Sequence, residues 1–456
     1  MRFAGYDAYR KSNSPWLGDI PNHWEIKKLK FLATVQPSNV DKKTVEGEEP
    51  VLLCNYTDVY KNEYIDSRLD FMQASAMEDE IMKFAVDIGD VIVTKDSETP
   101  DDIAVPACVT EKIDGLLCGY HLTQIKPIDL DGKYLFRLFQ SKGFNAQFTV
   151  AANGVTRFGL PQYAIANAFA PVPPIDEQKT IARFLDFKTA QIDALIAKKQ
   201  ALLDKLAEKR TALISHAVTK GLDSSVPMRD SGVAWLGEIP AHWNISRLRF
   251  VSYGIEQGWS PQCNNQPANA EQWGVLKVGC VNGDSFDENE NKALPDDLEP
   301  KVHYEIRNGD ILVSRANTKE LLGSAALVKN VRPRLLLCDK LYRITPNPLV
   351  NSDYLVRLLR SSIARYQYER NATGTSGSMQ NIGQDTLKDL SIPLPPKSEQ
   401  ERIAQYLERM FSESAETWRR IQEAIEKLQE YRSALITNAV TGKIDVRAWQ
   451  PNQEAA

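Results

Sequence analysis

Two long stretches of the chain alternate apolar and polar residues with the period of a helix, and they lie 222 residues apart. Residues 173–223 and 395–445 each begin with a proline pair and continue without Pro or Gly as far as Gly221 or Gly442. A proline pair stops the preceding element, and glycine is favoured directly after a helix C-terminus. The pattern predicts one long helix made twice, with Asp176 or Ser398 as its N-cap residue.

Apolar positions in both helices recur in alternating steps of three and four, which is the spacing of a coiled-coil seam. The first helix places in this frame Leu185, Lys188, Ile192, Leu195, Lys199, Leu202, Leu206, Lys209 and Leu213. The second helix places there Leu407, Met410, Ser414, Thr417, Ile421, Ala424, Leu428, Tyr431 and Leu435. Since each helix supplies the apolar strip that the other needs, we predict that they pair. The alternative is two amphipathic helices that pack only on their own domains.

The repeat extends well beyond the helices. Residues 16–31 (WLGDIPNHWEIKKLKF) match residues 235–250 (WLGEIPAHWNISRLRF), and each segment contains Trp and His. These residue types suggest catalysis, but no acid, nucleophile or second histidine accompanies them. We therefore interpret the segment as a structural one that docks on its domain.

Between this segment and the next long helix, short apolar runs alternate with turn residues, a pattern that predicts a mixed domain with many strands. In the clearest match, residues 87–95 and 305–315, a Gly-Asp pair turns into a buried strand. The loops that follow these strands differ, although the strands themselves agree. Matching strands with differing loops are typical of a scaffold for variable recognition.

A second polar loop precedes each proline pair, at residues 153–160 and 374–382. The later loop is rich in hydroxyl and amide groups, which suit base edges or phosphates; the alternative is a flexible surface loop. Arg and Lys suit guanine or phosphate, and Asn and Gln suit adenine. The candidate DNA-binding residues in the loops are Lys95, Arg157, Arg315, Asn317, Lys319, Ser376, Ser378, Gln380 and Asn381.

Bulk composition limits the possible classes of protein. The 456 residues fit roughly two to four domains. A net charge of −5 is unusual for a protein that binds DNA mainly through phosphates, so positive charge must be local or come from a partner. No apolar run has the length of a membrane span. Six cysteines without a CxxC pair suggest neither a metal site nor disulfides, and they fit a reducing cytoplasm.

We predict an α+β fold with two globular mixed α/β target-recognition domains in a tandem pseudo-repeat, separated and joined by the two long helices. The predicted boundaries are 1–172 and 224–394 for the globular domains and 173–223 and 395–446 for the helices, with a disordered tail at 447–456.

Several motifs together resemble the specificity subunit of Type I restriction-modification systems. They are the tandem order, the P-x-P-P-x-x-E-Q helix starts at 171–178 and 393–400, the GDILVS strand at 309–314, and the GSMQNI loop at 377–382. The segments at 16–31 and 235–250 also look like that family. The resemblance covers residues 9–446, but residues 154–160 lack the SMQNI wording of the second half.

This resemblance implies two target-recognition domains, each of which reads one half of a bipartite double-stranded DNA site. The helices would form an antiparallel coiled coil that sets the spacing and docks two methyltransferase subunits, which restriction-translocase subunits then join. S-adenosylmethionine, ATP and Mg would belong to those partners, and this chain would hold no cofactor. Because the two sets of loops differ, the half-sites should differ, about one DNA turn or roughly 34 Å apart.

The chain carries no catalytic motif of its own. The Asn/Asp-Pro-Pro-aromatic motif of amino-methyltransferases is absent, with Asn347 and Pro348 as its nearest match, and no phosphate-binding loop occurs. Two alternatives to a restriction-modification subunit are a stand-alone sequence-specific DNA-binding protein and a coiled-coil adaptor. The acidic balance argues against the first alternative, and the doubled variable loops argue against the second.

Overall fold

A computed structural model of the chain describes residues 4–263, 265–374 and 379–451. The chain divides into two units, Met1–Gln200 with Gln422–Ala456, and Ala201–Ile421. Each unit therefore combines a globular domain with the beginning of one long helix and the end of the other. The predicted α+β class, with two mixed domains and two long helices, is confirmed.

The first unit contains short strands and helices that precede a long helix. Its strands are β1 (Tyr9–Lys11), β2 (Asp19–Pro21), β3 (Glu25–Lys28), β4 (Ala33–Pro37), β5 (Glu49–Cys54), β6 (Tyr64–Ile65), β7 (Met72–Ala76), β8 (Val91–Thr94), β9 (Asp96–Ser97), β10 (Pro106–Val109), β11 (Leu116–Cys118), β12 (Leu122–Pro127), β13 (Phe158–Gly159) and β14 (Phe169–Val172). Its helices are α1 (Tyr56–Lys61), α2 (Glu78–Phe84), α3 (Gly132–Phe139), α4 (Lys142–Ala151), α5 (Gln162–Ala166) and the long α6 (Ile175–Lys220), which continues into the second unit. The larger sheet has the order β4-β12-β8-β10-β6, and a smaller one has the order β11-β5-β7.

The second unit repeats this plan. Its strands are β15 (Met228–Asp230), β16 (Glu238–Pro240), β17 (Asn244–Arg247), β18 (Ser252–Gln257), β19 (Gly274–Leu276), β20 (Asn291–Ala293), β21 (Ile311–Ser314), β22 (Ala316–Asn317), β23 (Ala325–Leu327), β24 (Leu335–Leu336), β25 (Leu341–Pro346), β26 (Gln380–Asn381) and β27 (Ser391–Leu394). Its helices are α7 (Ser352–Leu359), α8 (Ser362–Asn371), α9 (Gln384–Lys388) and the long α10 (Lys397–Val440). The larger sheet has the order β18-β25-β21-β23, and the smaller one has the order β20-β19-β24.

The start of one long helix and the end of the other share a core in each unit. In the first unit, Ile181 of α6 and Leu435 of α10 are buried in the cluster that also contains Trp24. In the second, Val218 of α6 and Ile403 of α10 are buried with Trp243. Burial of apolar side chains from both helices against one domain is what stabilises this arrangement.

The helix segments run antiparallel within each unit. In the first unit, Asp193 of α6 accepts from Arg432 of α10 at 2.8 Å. In the second, Arg210 of α6 lies 4.1 Å from the ring centre of Phe411 of α10, and Gly221, directly after the end of α6, lies beside Glu399 near the start of α10. Higher numbers in α6 thus meet lower numbers in α10.

Half of the predicted seam positions are wrong, because the inward-facing residue is the next one along the helix. The positions of Leu185, Ile192 and Leu206, and of Leu407, Ile421 and Leu435, do face inward as predicted. Leu195 and Leu202, however, are 48% and 46% exposed, whereas the following residues Ile196 and Leu203 turn inward. The second helix has the same shift, since Tyr431 is exposed and Arg432 is half-buried. The seam steps by four and then three, which is the same spacing started in the other phase.

The predicted helix ends are right at the C-termini and wrong at the N-termini. Gly221 and Gly442 follow the helices with φ of +77° and +71°, a left-handed conformation that favours glycine. At the other end, α6 begins at Ile175 and α10 at Lys397. Asp176 and Ser398 therefore lie in the first helical turn and do not cap it, because the carbonyl oxygens of Pro174 and Pro396 already accept helical hydrogen bonds.

The glutamate of each long-helix start holds the Trp- and His-containing segment of its own unit. The Glu177 carboxylate accepts from the Tyr6 hydroxyl at 2.6 Å and from Trp24 Nε1 at 3.0 Å. His23 Nε2 lies 2.8 Å from the second oxygen of Glu177. The segment docks on its unit as predicted, but the expectation that no acid accompanies its His and Trp is wrong, because Glu177 contacts both. Burial beside this carboxylate raises the pKa of the Tyr6 hydroxyl.

The second unit has a reduced version of this cluster. His242 Nε2 lies 2.8 Å from Glu399 Oε2, as at the first site. Trp243 Nε1, however, is buried and has no hydrogen-bond partner among the described residues. The repeated motifs therefore do not contribute equally to their units.

Buried arginines connect the first globular domain to both helices. Arg137 of α3 is 1% exposed, and its guanidinium donates to Asp186 of α6 at 2.9 Å and to Glu63 at 3.2 Å. Arg432 of α10 donates to the same Glu63 at 2.6 Å. Burial works to raise the pKa of the Glu63 carboxyl, but the two guanidinium groups hold it below its ordinary value.

The expectation of a disordered tail after Val446 is wrong for the first residues of that tail. The Trp449 ring centre lies 5.4 Å from that of Phe184 and 5.5 Å from that of Phe187. Its indole thus packs on the first turns of α6, within the first unit. Aromatic contacts of this kind bury apolar area that an unstructured tail would leave in water.

Candidate nucleic-acid interface

In the first unit, two of the loops singled out from the sequence lie side by side. Strand β9 pairs antiparallel with β13, with Asp96 opposite Gly159. The Leu160 amide donates to the Lys95 carbonyl oxygen at 2.8 Å. We call residues 95–97, 119–121 and 153–159 the first recognition surface.

The second unit has the same pairing of two short strands, formed by its own residues. Strand β22 pairs with β26, with Ala316 opposite Asn381. The Ile382 amide donates to the Arg315 carbonyl oxygen at 2.9 Å. We call residues 315–319, 338–340, 373–374 and 379–382 the second recognition surface. Ser376 and Ser378 lie outside the described residues.

A glycine opens the later loop of both surfaces. Gly154 has φ of +152° and Gly374 has φ of +128°. A Cβ on Gly154 would lie 2.0 Å from the Arg157 carbonyl oxygen, and one on Gly374 would lie 2.9 Å from that of Met379. Both loops therefore contain a glycine that a larger residue could not replace without strain, a likeness that the differing sequence of residues 154–160 concealed.

The candidate DNA-binding residues of the first unit differ in how their side chains are held. Lys95 Nζ donates to the Ser38 carbonyl oxygen at 2.9 Å and lies 5.1 Å from the ring centre of Tyr120. Arg157 is exposed at the end of its loop. Lys95 is thus a fixed positive charge, whereas Arg157 extends into solvent, where a phosphate or a base edge can reach it.

The candidates of the second unit are more strongly held. Arg315 is half-buried and donates to the Asp339 carbonyl oxygen at 3.3 Å. Asn317 is 8% exposed; its amide group donates to Asn282 at 3.0 Å and its oxygen accepts from the Thr318 amide. This geometry gives Asn317 a role in shaping the loop and leaves little of its side chain for a ligand.

The remaining candidates lie at the edge of this surface. Lys319 is exposed, and its backbone oxygen accepts from Arg365 at 3.0 Å. Asn381 exchanges two backbone hydrogen bonds of 2.9 Å with Thr373. Gln380 Oε1 is buried without a hydrogen-bond partner in the described part of the chain. A buried acceptor without a partner is costly, so this amide is a candidate for contact with a ligand.

Three residues of the first recognition surface were missed by the sequence reasoning. His121 Nδ1 forms a short hydrogen bond with Asp96 Oδ2, and the His121 ring centre lies 3.9 Å from that of Tyr120. One signal could have found them, because the segment from Cys118 to Leu122 is one residue longer than its repeat. An insertion inside an otherwise matching frame marks a place where the two domains differ.

This chain belongs to the family of the Type I restriction modification DNA specificity domain, whose model matches residues 21–205 and 263–427. The two matches include most of both globular domains and a large part of both long helices. The resemblance inferred from the sequence is therefore confirmed.

Individual relatives are described as specificity subunits of Type I restriction enzymes. The EcoEI specificity subunit of Escherichia coli is 29% identical over 52% of this chain and 40% of its own length. The MjaVIII specificity subunit of Methanocaldococcus jannaschii is 24% identical over 94% of each chain. The chain thus spans less than half of the first relative, and nearly all of the second.

Among solved structures, a chain from a type I R-M system has the same fold. Its TM-score is 0.64 at 18% identity, and the alignment covers 92% of this chain and 98% of that one. In the described ranges of our protein, no helix combines the length and the apolar character that crossing a bilayer requires.

Proposed function

We propose that this protein is the DNA sequence-specificity subunit of a Type I restriction-modification complex and recognises an asymmetric bipartite site. The proposal rests on the doubled recognition surface, in which the same pairing of two short strands supports two different sets of loops. Each surface would read one half-site. Because the side chains on the two surfaces differ, the two half-sites would differ as well.

We assign the DNA contacts to the loops of these surfaces. Arg157 and Lys319 are exposed and suit phosphates or guanine edges, while Lys95 and Arg315 are held by backbone oxygens close to the same loops. Gln380 and Asn381 offer amide groups, Asn317 shapes the loop that carries Lys319, and Ser376 and Ser378 complete the set. The functional divisions remain those proposed from the sequence, with recognition domains at 1–172 and 224–394, helices at 173–223 and 395–446, and a tail at 447–456.

Catalysis would belong to other subunits. Two methyltransferase subunits would dock on the long helices, and restriction-translocase subunits would join them, so that S-adenosylmethionine, ATP and Mg are bound outside this chain. Partners would also supply part of the positive charge that an acidic protein lacks for DNA binding. Because its substrate would be chromosomal and incoming DNA, we place the complex in the cytoplasm.

Sequencing of methylated bases in a host with and without this gene tests the proposal. We expect adenine methylation at one split, asymmetric motif to disappear when the gene is deleted and to return with a plasmid copy. An unchanged methylome would contradict the proposal. A stand-alone DNA-binding protein would instead bind one site tightly without partners, and an adaptor would show no sequence preference for DNA.

Arg315→Ala should weaken binding of the assembled complex to its site by roughly tenfold, the value of one good side-chain contact to a base or phosphate. Gel shifts at one fixed salt concentration measure the affinity. Lys95→Ala, at the equivalent position of the first surface, is the matched variant and should affect only the other half-site. Loss of the assembly on gel filtration would count against a DNA-contact role for Arg315.

A further inference from the structure

The segment that joins β11 to β12 differs from its repeat by one inserted residue. The C-terminal end of the segment occupies a matching place in both units, because the Lys95 amide donates to the His121 oxygen at 3.1 Å and the Arg315 amide to the Lys340 oxygen at 2.8 Å. Three residues separate Cys118 from Leu122, whereas two separate Cys338 from Leu341. The extra residue therefore lies inside the first recognition surface and has no equivalent in the second.

His121, within the longer segment, has a backbone conformation that residues other than glycine uncommonly adopt. Its φ is +71°, in the left-handed region, which is strained for a residue with a Cβ. Such conformations persist only where the surroundings hold them, and they concentrate at functional sites. The strained conformation of His121 therefore needs an explanation of its own, because the matching segment of the second unit does not supply one.

Contacts with one other segment and with the preceding residue hold the His121 ring. Nδ1 bonds to the Asp96 carboxylate, and Asp96 is itself held in β9 opposite Gly159. On its other side, the ring packs against Tyr120, whose own ring lies beneath Lys95 Nζ. Asp96 and Tyr120 thus fix the direction in which the imidazole points.

The chemistry of this arrangement suits a base edge. When Nδ1–H of a neutral imidazole donates to a carboxylate, the ring presents Nε2 as a hydrogen-bond acceptor. The His121 side chain is 26% exposed, and Tyr120 is 44% exposed, so both can be reached from solvent. Adenine N6 and cytosine N4 are the donors that the major groove offers to such an acceptor.

We propose that His121, positioned by Asp96 and Tyr120, reads a base with an exocyclic amine in the half-site of the first unit. The inference rests on the proposed function and adds a residue that decides specificity. Lys340 occupies the matching place in the second unit, and a lysine donates where this histidine accepts. The two surfaces would therefore prefer different bases at this position.

His121→Gly tests the proposal with little risk to the fold. Glycine adopts the same φ without strain, and this relief offsets the lost hydrogen bond to Asp96, so Tm should change by no more than about 4 °C. In a host that depends on the variant gene, we expect methylated-base sequencing to show roughly tenfold poorer discrimination at one position of one half-site. The other half-site should stay unchanged.

Asn330→Gly is the matched control. Asn330 is also left-handed, with φ of +54°, but it follows β23 near Gly309, at the end of β21 opposite to Arg315. This variant should leave the whole motif intact. An unchanged motif with His121→Gly, or equal losses in both half-sites, would overturn the proposal for His121. Absence of a split motif with the wild-type gene would instead overturn the proposed function, and the role of His121 with it.

Discussion

Inserting seven residues into each long helix, after Gln200 and after Ile421, should lengthen the gap in the recognised DNA site by about three base pairs. Seven helical residues add about 10.5 Å, and one base pair adds 3.4 Å. Seven residues are also one full repeat of the seam, so the inward-facing positions continue on the same side. Methylated-base sequencing would show the longer gap with both half-sites unchanged.

Three added base pairs also rotate one half-site by about 100° relative to the other, since a DNA turn holds about 10.5 base pairs. Methylation at the lengthened site should therefore be weaker than the wild-type reaction at its own site. An insertion of seven residues in α6 alone is the control; it mismatches the seam and should abolish methylation. An unaltered gap with the double insertion would refute the role of the helices as a spacer.

Glu177→Ala should destabilise the first unit by roughly 3 kcal/mol or more. The substitution removes the acceptor of Tyr6 and Trp24 and leaves both buried donors without a partner, at a cost of about 1–3 kcal/mol each. Denaturant unfolding followed by tryptophan fluorescence measures this loss, because Trp24 reports on its own surroundings.

Glu399→Ala is the matched variant, and it should cost about 1 kcal/mol. Glu399 accepts from His242, but the neighbouring Trp243 Nε1 has no hydrogen-bond partner in the described structure even in the wild type. The same substitution in two copies of one motif thus separates the polar contacts from the loss of side-chain volume. Equal losses in the two units would contradict this account.

Local patterns were enough to predict where the long helices end and which strands support the loops. Gly221 and Gly442 end the helices because a left-handed residue must follow, and glycine is the residue that takes this conformation without strain. The strand ending at Thr94 and the one ending at Ser314 are buried on all positions, as their apolar runs predict. These features depend on neighbours in the chain and can therefore be read from a single sequence.

The inward-facing positions of the long helices could not all be predicted from the sequence alone. Leu195 and Ile196 are both apolar, and either would continue the spacing of the first helix. The choice depends on the side chains that approach from the domain and from α10, and these bring Arg432 and Glu63 together across 369 residues. The periodicity of a helix does not specify which side chains from other elements will approach it.

The candidate interface divides in the same way. Residue order and local conformational preference were enough to infer the tandem repeat, the family, the long helices and the two sets of loops. The folded structure was needed to show that Asn317 is buried and that Asp96 holds His121. Both features depend on residues that are distant in the chain, Asn282 for Asn317 and Asp96 for His121, and that meet only when the chain folds.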